Sequence, residues 1–311
     1  MPNFFAAATE HSGVLLSLFI MLAAAKVMAE VFERLRQPAV VGEILAGVVI
    51  GPAVFNWVAP SDLLSIVAEI GVIFLLFMVG LETKPQAIYG VGRKAIMVGS
   101  LGVILPFIAG YLIAIWWDGS FVEAMFIGAA LVATSVGITA RVLGSMGLLN
   151  LETSRIILGA AVIDDILGLI ILSVVSAVSR GPVNYLELGK TAALAIMFVL
   201  LVATVGSRVM KGLAPSVKKL RLSKPFFNIG LICCLGLSVA SIYVGVAAII
   251  GAFLAGMALS EATEHNHRMH RLTSGVTEFL VPFFLVNIGM QLNLALFADI
   301  QVVMLAVLIT A

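Results

Sequence analysis

Asp164 and Asp165 stand side by side in the middle of an apolar run, with residues 156–163 before them and 166–172 after. The run is long enough to cross a bilayer as a helix. At 1.5 Å per residue the carboxylates would lie roughly 15 Å from either end, near the midplane. Ionised carboxylates at that depth cost from about 2.5 kcal/mol upward each, so they require a partner, a proton, a cation or a water-filled cavity. A single polar group would suffice to bond two packed helices, and two like charges oppose each other. A pair that trades protons for a cation is the chemistry of transport, with the two titrations coupled. Protons hold such a site at low pH, and a cation replaces them as the pH rises.

The segment before the aspartates supplies further oxygens. Thr134 and Ser135 fall near the middle of the apolar stretch 121–143, and Gly137 follows closely. Hydroxyls and glycine let a membrane helix unwind, because side chains re-satisfy the freed backbone groups. Half-helix ends then direct dipoles and carbonyl oxygens at an ion. Sodium takes oxygen ligands, and carboxylate, hydroxyl and carbonyl are suitable in type. Thr134 and Ser135 serve either as such ligands or, bonded back to the preceding turn, as packing groups; sequence leaves both readings open.

These residues must be positioned by membrane helices. Of 311 residues, 61% are hydrophobic and 11% charged, against about 25% charged in a soluble domain, so the chain reads as an all-α polytopic membrane protein. Apolar segments fall at roughly 13–32, 38–57, 63–81, 95–116, 121–143, 153–178, 189–210, 226–243, 245–260, 275–291 and 300–311. The N-terminus has neither a basic leader nor a cleavage site, so the first segment reads as a span. Odd-numbered loops hold Arg34 and Arg36; Lys84, Arg93 and Lys94; Arg141 and Arg155; Arg208, Lys211, Lys218, Lys219, Arg221 and Lys224; Arg268 and Arg271. Even-numbered loops hold Arg180 and Lys190. The positive-inside rule then puts the N-terminus outside and the basic stretch 208–224, the longest polar break and the best linker candidate, in the cytoplasm.

Two short matches recur at one offset. Residues 39–47, with Gly42, resemble 248–256, with Gly251; residues 79–82, with Gly80, resemble 288–291, with Gly289; both pairs of glycines stand 209 apart. One helix of the first match starts inside and its counterpart outside, which predicts an inverted-topology repeat binding its substrate where the copies meet. The boundaries are a first repeat at about 13–178, a linking span at about 189–224 and a partial second repeat at about 226–311, within one transmembrane domain. The same offset carries 153–178 to about 362–387, past residue 311, so a C-terminally truncated chain lacking about two and a half spans is expected.

The remaining polar residues have simpler readings. Glu43 and Glu69 lie near span ends and read as structural. Lys26 and Glu30 have the spacing of a helix ion pair. Arg141 reads as an inner-face anchor and Glu123 as the start of a span at the outer face. His265, His267 and His270 share one loop, where pH sensing or metal binding is conceivable, but a solvated loop is the better reading. Cys233 and Cys234 form no disulfide framework and read as small hydrophobes. A net charge of +1 gives no reason to expect a nucleic-acid partner. Nothing resembles a P-loop, a nucleotide fingerprint or a nucleophile triad, so neither an enzyme nor a cofactor is expected.

Residues 159–169, with their double aspartate, resemble the double-aspartate helix of bacterial sodium/proton antiporters of the cation:proton antiporter-2 family. Residues 37–52, from Gln37-Pro38 to Gly51-Pro52, resemble that family's second span, and 77–82 and 284–290 resemble two further landmarks. The resemblance implies thirteen helices, a dimerisation domain and hence a homodimer, and a mobile core domain in which 121–143 is one of two crossing broken helices. It implies that Asp165 is the principal ion and proton carrier and that Asp164 pairs with a lysine of the tenth helix, which would lie beyond residue 311. The expected activity is exchange of sodium, or lithium, for protons across the cell (inner) membrane by an elevator-like movement. Two carboxylates predict electrogenic exchange, and pH homeostasis is the matching role. A potassium/proton antiporter with the same aspartates is the competing reading, ahead of a gated potassium-efflux protein of the same superfamily, whose members typically show Gln-Asp where this chain has Asp164-Asp165.

Overall fold

The computed structural model describes residues 2–308 except 84, 118, 133, 150, 181–184, 264–265, 299, 301–302 and 305–306. Twelve α-helices are described: α1 (Pro2–Arg34), α2 (Ala39–Ile50), α3 (Asp62–Glu82), α4 (Pro85–Trp116), α5 (Phe121–Val132), α6 (Val136–Ser145), α7 (Glu152–Arg180), α8 (Tyr185–Leu201), α9 (Ser207–Lys218), α10 (Pro225–Tyr243), α11 (Ala248–Thr263) and α12 (His267–Met290). Among the described residues, seven helices or helix pairs are long and apolar enough to cross a membrane.

The chain divides into two compact units, one of residues 1–75 with 274–311 and the other of residues 76–273. In the first, α1, α2 and parts of α3 and α12 close around Met21, Ala25, Ala46, Ile50, Phe283, Val286 and Met290. α2 is 12 residues long, too short to span a bilayer, and the expected segment 38–57 is helical only to Ile50. Pro52 has no N–H to continue the ladder, and the chain folds back, Trp57 and Val58 donating to the Ile50 carbonyl at 2.9 and 3.1 Å. Lys26 does not pair with Glu30. Arg34 takes Glu30 at 2.7 Å, while the Lys26 ammonium lies 4.0 Å from Glu43 and donates to the Glu278 carbonyl at 3.5 Å. Glu43 is 1% exposed, whereas Glu69 is exposed.

In the second unit α4 packs along α7 and α5, and α10 along α11. α11 is buried on almost every side, as expected of a helix that is apolar all round. The 209-residue correspondence extends here from letters to contacts. A Cβ on Gly42 would strike the Met28 carbonyl, and one on Gly251 the Leu237 carbonyl. In the first unit Gly47 and Gly289 lie against the carbonyls of Val286 and Ile44; in the second, Gly256 and Gly80 lie against those of Phe77 and Phe253. Each of these residues has its counterpart 209 positions away. Glycine is required because two backbones touch where a side chain would stand.

Three sequence expectations change. The basic stretch 208–224 is not a loop throughout: α8 passes through a π-helical turn (Val202–Gly206) into α9, so the stretch is helical to Lys218. The histidine stretch is not a free loop either, because α12 begins at His267, with Asn266 Oδ1 accepting from the Met269 N–H at 3.1 Å; His265 lies outside the described residues. The segment 300–311 lies largely outside them as well.

Candidate functional site

α5 and α6 are the two halves of one interrupted span. α5 ends at Val132 and α6 begins at Val136, so the interruption falls on the stretch containing Thr134 and Ser135. Ser135 is the N-cap of α6: its backbone is extended (φ −93°, ψ 98°) and its Oγ accepts from the Ile138 N–H at 3.3 Å. The Thr139 hydroxyl donates to the Ser135 carbonyl at 3.1 Å. The N-terminal end of α5 is fixed by a reciprocal cap legible in Ser120-Phe121-Val122-Glu123. The Ser120 N–H donates to Glu123 Oε2 at 2.8 Å and the Glu123 N–H to Ser120 Oγ at 3.3 Å.

α7 carries both aspartates past this break. The Thr134 hydroxyl donates to Asp164 Oδ2, which puts that carboxylate beside the N-terminal end of α6, where helix N–H groups favour negative charge. Asp164 is 8% exposed. It lines an open cleft of about 240 Å³ with Thr134, Ser135, Thr139, Gly99 and Gly102. Neither glycine of α4 was singled out by sequence reasoning. A Cβ on Gly99 would come within 2.8 Å of the Ala160 carbonyl, so Gly99 sets how closely α4 approaches the aspartate helix.

Asp165 faces elsewhere. Successive residues lie about 100° apart on a helix, and its side chain borders a void of about 10 Å³ lined by Leu76, Val136, Leu158, Val162, Ile250 and Phe253. That space is about the least that holds one water. Among the described residues, neither Asp164 Oδ1 nor Asp165 Oδ2, both buried, has a hydrogen-bond partner. A buried carboxylate oxygen without a donor calls for a proton, a cation or water. The four candidate residues therefore divide: Asp164, Thr134 and Ser135 share an open, largely apolar cleft to which they and Thr139 bring the polar groups, and Asp165 lies in an apolar pocket one residue away. Among the described residues no cluster of three or more His, Cys, Asp or Glu could hold a resident metal.

A carboxylate pair on α7, set against the break between α5 and α6, lies in a chain with seven candidate membrane spans among its described residues. The chain belongs to the transmembrane sodium/hydrogen exchanger family, whose model matches residues 16–311; it is a transporter and not an enzyme. It is 36% identical over 279 residues to the probable Na(+)/H(+) antiporter GerT of Bacillus cereus, covering 89% of this chain and 73% of the relative. It is 34% identical over 275 residues to the Na(+)/H(+)-K(+) antiporter GerN of the same organism, covering 88% and 70%. The fold is similar to that of the sodium proton antiporter MjNhaP1 from Methanocaldococcus jannaschii at pH 8, with a TM-score of 0.62 at 14% identity, covering 95% of this chain and 75% of that one.

Proposed function

We propose that this protein exchanges sodium, or lithium, for protons across the cell membrane, using Asp164 and Asp165 as the site where the two ions compete. The observation that carries this reading is the pair of buried carboxylate oxygens without donors beside the α5–α6 break. Asp165 is the principal carrier. Among the described residues its buried Oδ2 has no hydrogen-bond partner, so its charge is neutralised by a proton or by the transported cation, and the empty charged form is the least able to move. Asp164 is the companion, steadied by Thr134 and the N-terminal end of α6, with Thr134 and Ser135 lending oxygens to a cation in the cleft. The empty dyad favours cations when deprotonated and releases them when protonated, which gives exchange if the site opens to one side at a time. Two carboxylates support two protons per sodium. The inverted repeat, a homodimer, a cell-membrane location with the N-terminus outside, and membership of the cation:proton antiporter-2 branch belong to the same reading.

The full-length protein in liposomes with an imposed pH gradient provides the test. Sodium is expected to dissipate the gradient, and Asp165→Asn to abolish the response; retained dissipation in that variant removes the assignment. Potassium/proton exchange is kept as the second reading because of the likeness to an antiporter whose name includes potassium. Dissipation by potassium with none by sodium would establish it.

A further inference from the structure

Six cations, Arg208, Lys211, Lys218, Lys219, Arg221 and Lys224, occupy 208–224, and no Asp or Glu occurs between Lys190 and Glu261. α9 carries the first part of this stretch. It packs against α11, with Ser207 and Val217 buried and the Lys211 ammonium 2.6 Å from Glu261 of α11. Arg208 turns back to the Thr204 carbonyl at 3.0 Å. The cations beyond α9 have no such tie: among the described residues, no acidic group pairs with Lys219, Arg221 or Lys224. Between them Leu220 and Leu222 are 44% and 48% exposed, and Leu213 and Val209 on α9 are 46% exposed each. The stretch ends at an open cleft of about 240 Å³ lined by Ser223, Lys224, Phe226, Phe227, Asn266 and Arg268. Lys224 and Arg268 bring two positive charges to that cleft, and it borders the first turns of both α10 and α12.

We propose that this segment and its terminal cleft bind the headgroups of anionic phospholipids in the cytoplasmic leaflet. Alternating exposed cations and leucines match a negatively charged interface with acyl chains below it. A soluble acidic partner would satisfy the charges and leave the leucines in water. The segment joins one apolar helix to the next, which keeps it at the level of the headgroups. The cleft then holds a headgroup phosphate between Lys224 and Arg268, and the segment spreads over its neighbours. On this reading the mount of α10 and α11 is fastened to the bilayer surface whether or not the aspartates exchange ions, so its test is separate from the transport assay.

Purified full-length protein in neutral detergent is titrated with phosphatidylglycerol, phosphatidylcholine or inorganic phosphate while the thermal midpoint is followed. Phosphatidylglycerol is expected to raise the midpoint, with the effect fading as salt is added, and the other two to leave it in place. Lys219→Gln, Arg221→Gln, Lys224→Gln and Arg268→Gln are each expected to weaken the phosphatidylglycerol response about fivefold. The charge-keeping Lys219→Arg and Arg268→Lys are expected to retain it. The single variants sit at exposed or half-exposed positions, so the comparison survives if a combined variant does not fold. An equal response to phosphatidylcholine, an equal response to inorganic phosphate alone, or an undiminished response in all four Gln variants overturns the proposal.

Discussion

Asp164 and Asp165 are joined by one peptide bond, yet they face different surroundings. Asp164 has a hydroxyl donor, the N-terminal end of α6 and an open cleft that also holds the Ser135 and Thr139 hydroxyls. Asp165 has aliphatic and aromatic neighbours and space for about one water. The helix creates this division, because a rotation of about 100° per residue sends adjacent side chains to different neighbours. Two identical groups thereby acquire different neighbours, and the proposed division of roles between them rests on that difference.

The comparison is broken most directly by neutralising each side in turn. Asp165→Asn is expected to reduce sodium-driven proton flux in liposomes to background. Asp164→Asn is expected to leave measurable exchange with an altered charge-to-sodium ratio. Equal loss in both variants, with no change in ratio, would erase the distinction between them. Removing only the donor sharpens it. Thr134→Val deletes a hydrogen bond to a carboxylate, a contribution of about 1.5–3 kcal/mol, and is expected to raise the sodium concentration for half-maximal exchange about tenfold or more. An unchanged value would mean that Thr134 packs and does not tune the site. Ser135→Ala removes the α6 cap at a cost of about 1 kcal/mol and one hydroxyl from the cleft, expected as a small drop in thermal midpoint together with a smaller rise in the half-maximal sodium concentration than Thr134→Val gives.

Glu152, at the first residue of α7, supplies the exposed counterpart. The Lys94 ammonium, 2.6 Å away, donates a hydrogen bond that holds the Glu152 carboxyl below its usual range. A carboxylate lowered in the folded state contributes stability above its ordinary value, and that contribution disappears as the pH falls through the folded value. Lys94→Gln is therefore expected to leave exchange untouched and to lower the thermal midpoint slightly near neutrality. The difference from the parent should vanish in acid. The effect is the smallest of the series because both partners are exposed and solvent screens them.

The candidate aspartates stand out in the sequence because burying charge in lipid is so costly that two of them in an apolar run call for a reason. The interruption at Thr134–Ser135 was legible from hydroxyls beside a glycine. Gly99 and Gly102 were not, since glycines recur throughout packed membrane helices and only the approach of α7 singles one out. The ends of α9 and α12 were misjudged for one reason: Arg, Lys and His mark a polar surface, and they do so equally well on a solvated helix as on a loop. The Lys26–Glu30 pairing failed because a helix spacing permits an ion pair without excluding rivals, and Arg34 and Glu43 were both in reach.

The order of residues alone determined that this chain lives in a membrane, and it set two glycine-bearing matches at an interval of 209 and an acidic pair inside an apolar run. Those properties rest on hydrophobicity and spacing, which are local and additive. Folding decided which carboxylate met a hydroxyl and which met hydrocarbon, where one backbone came to lie on another at Gly47, Gly80, Gly256 and Gly289, and which cations kept an acidic neighbour. Those outcomes depend on residues distant in sequence arriving at one point in space, and no single stretch of chain holds that information.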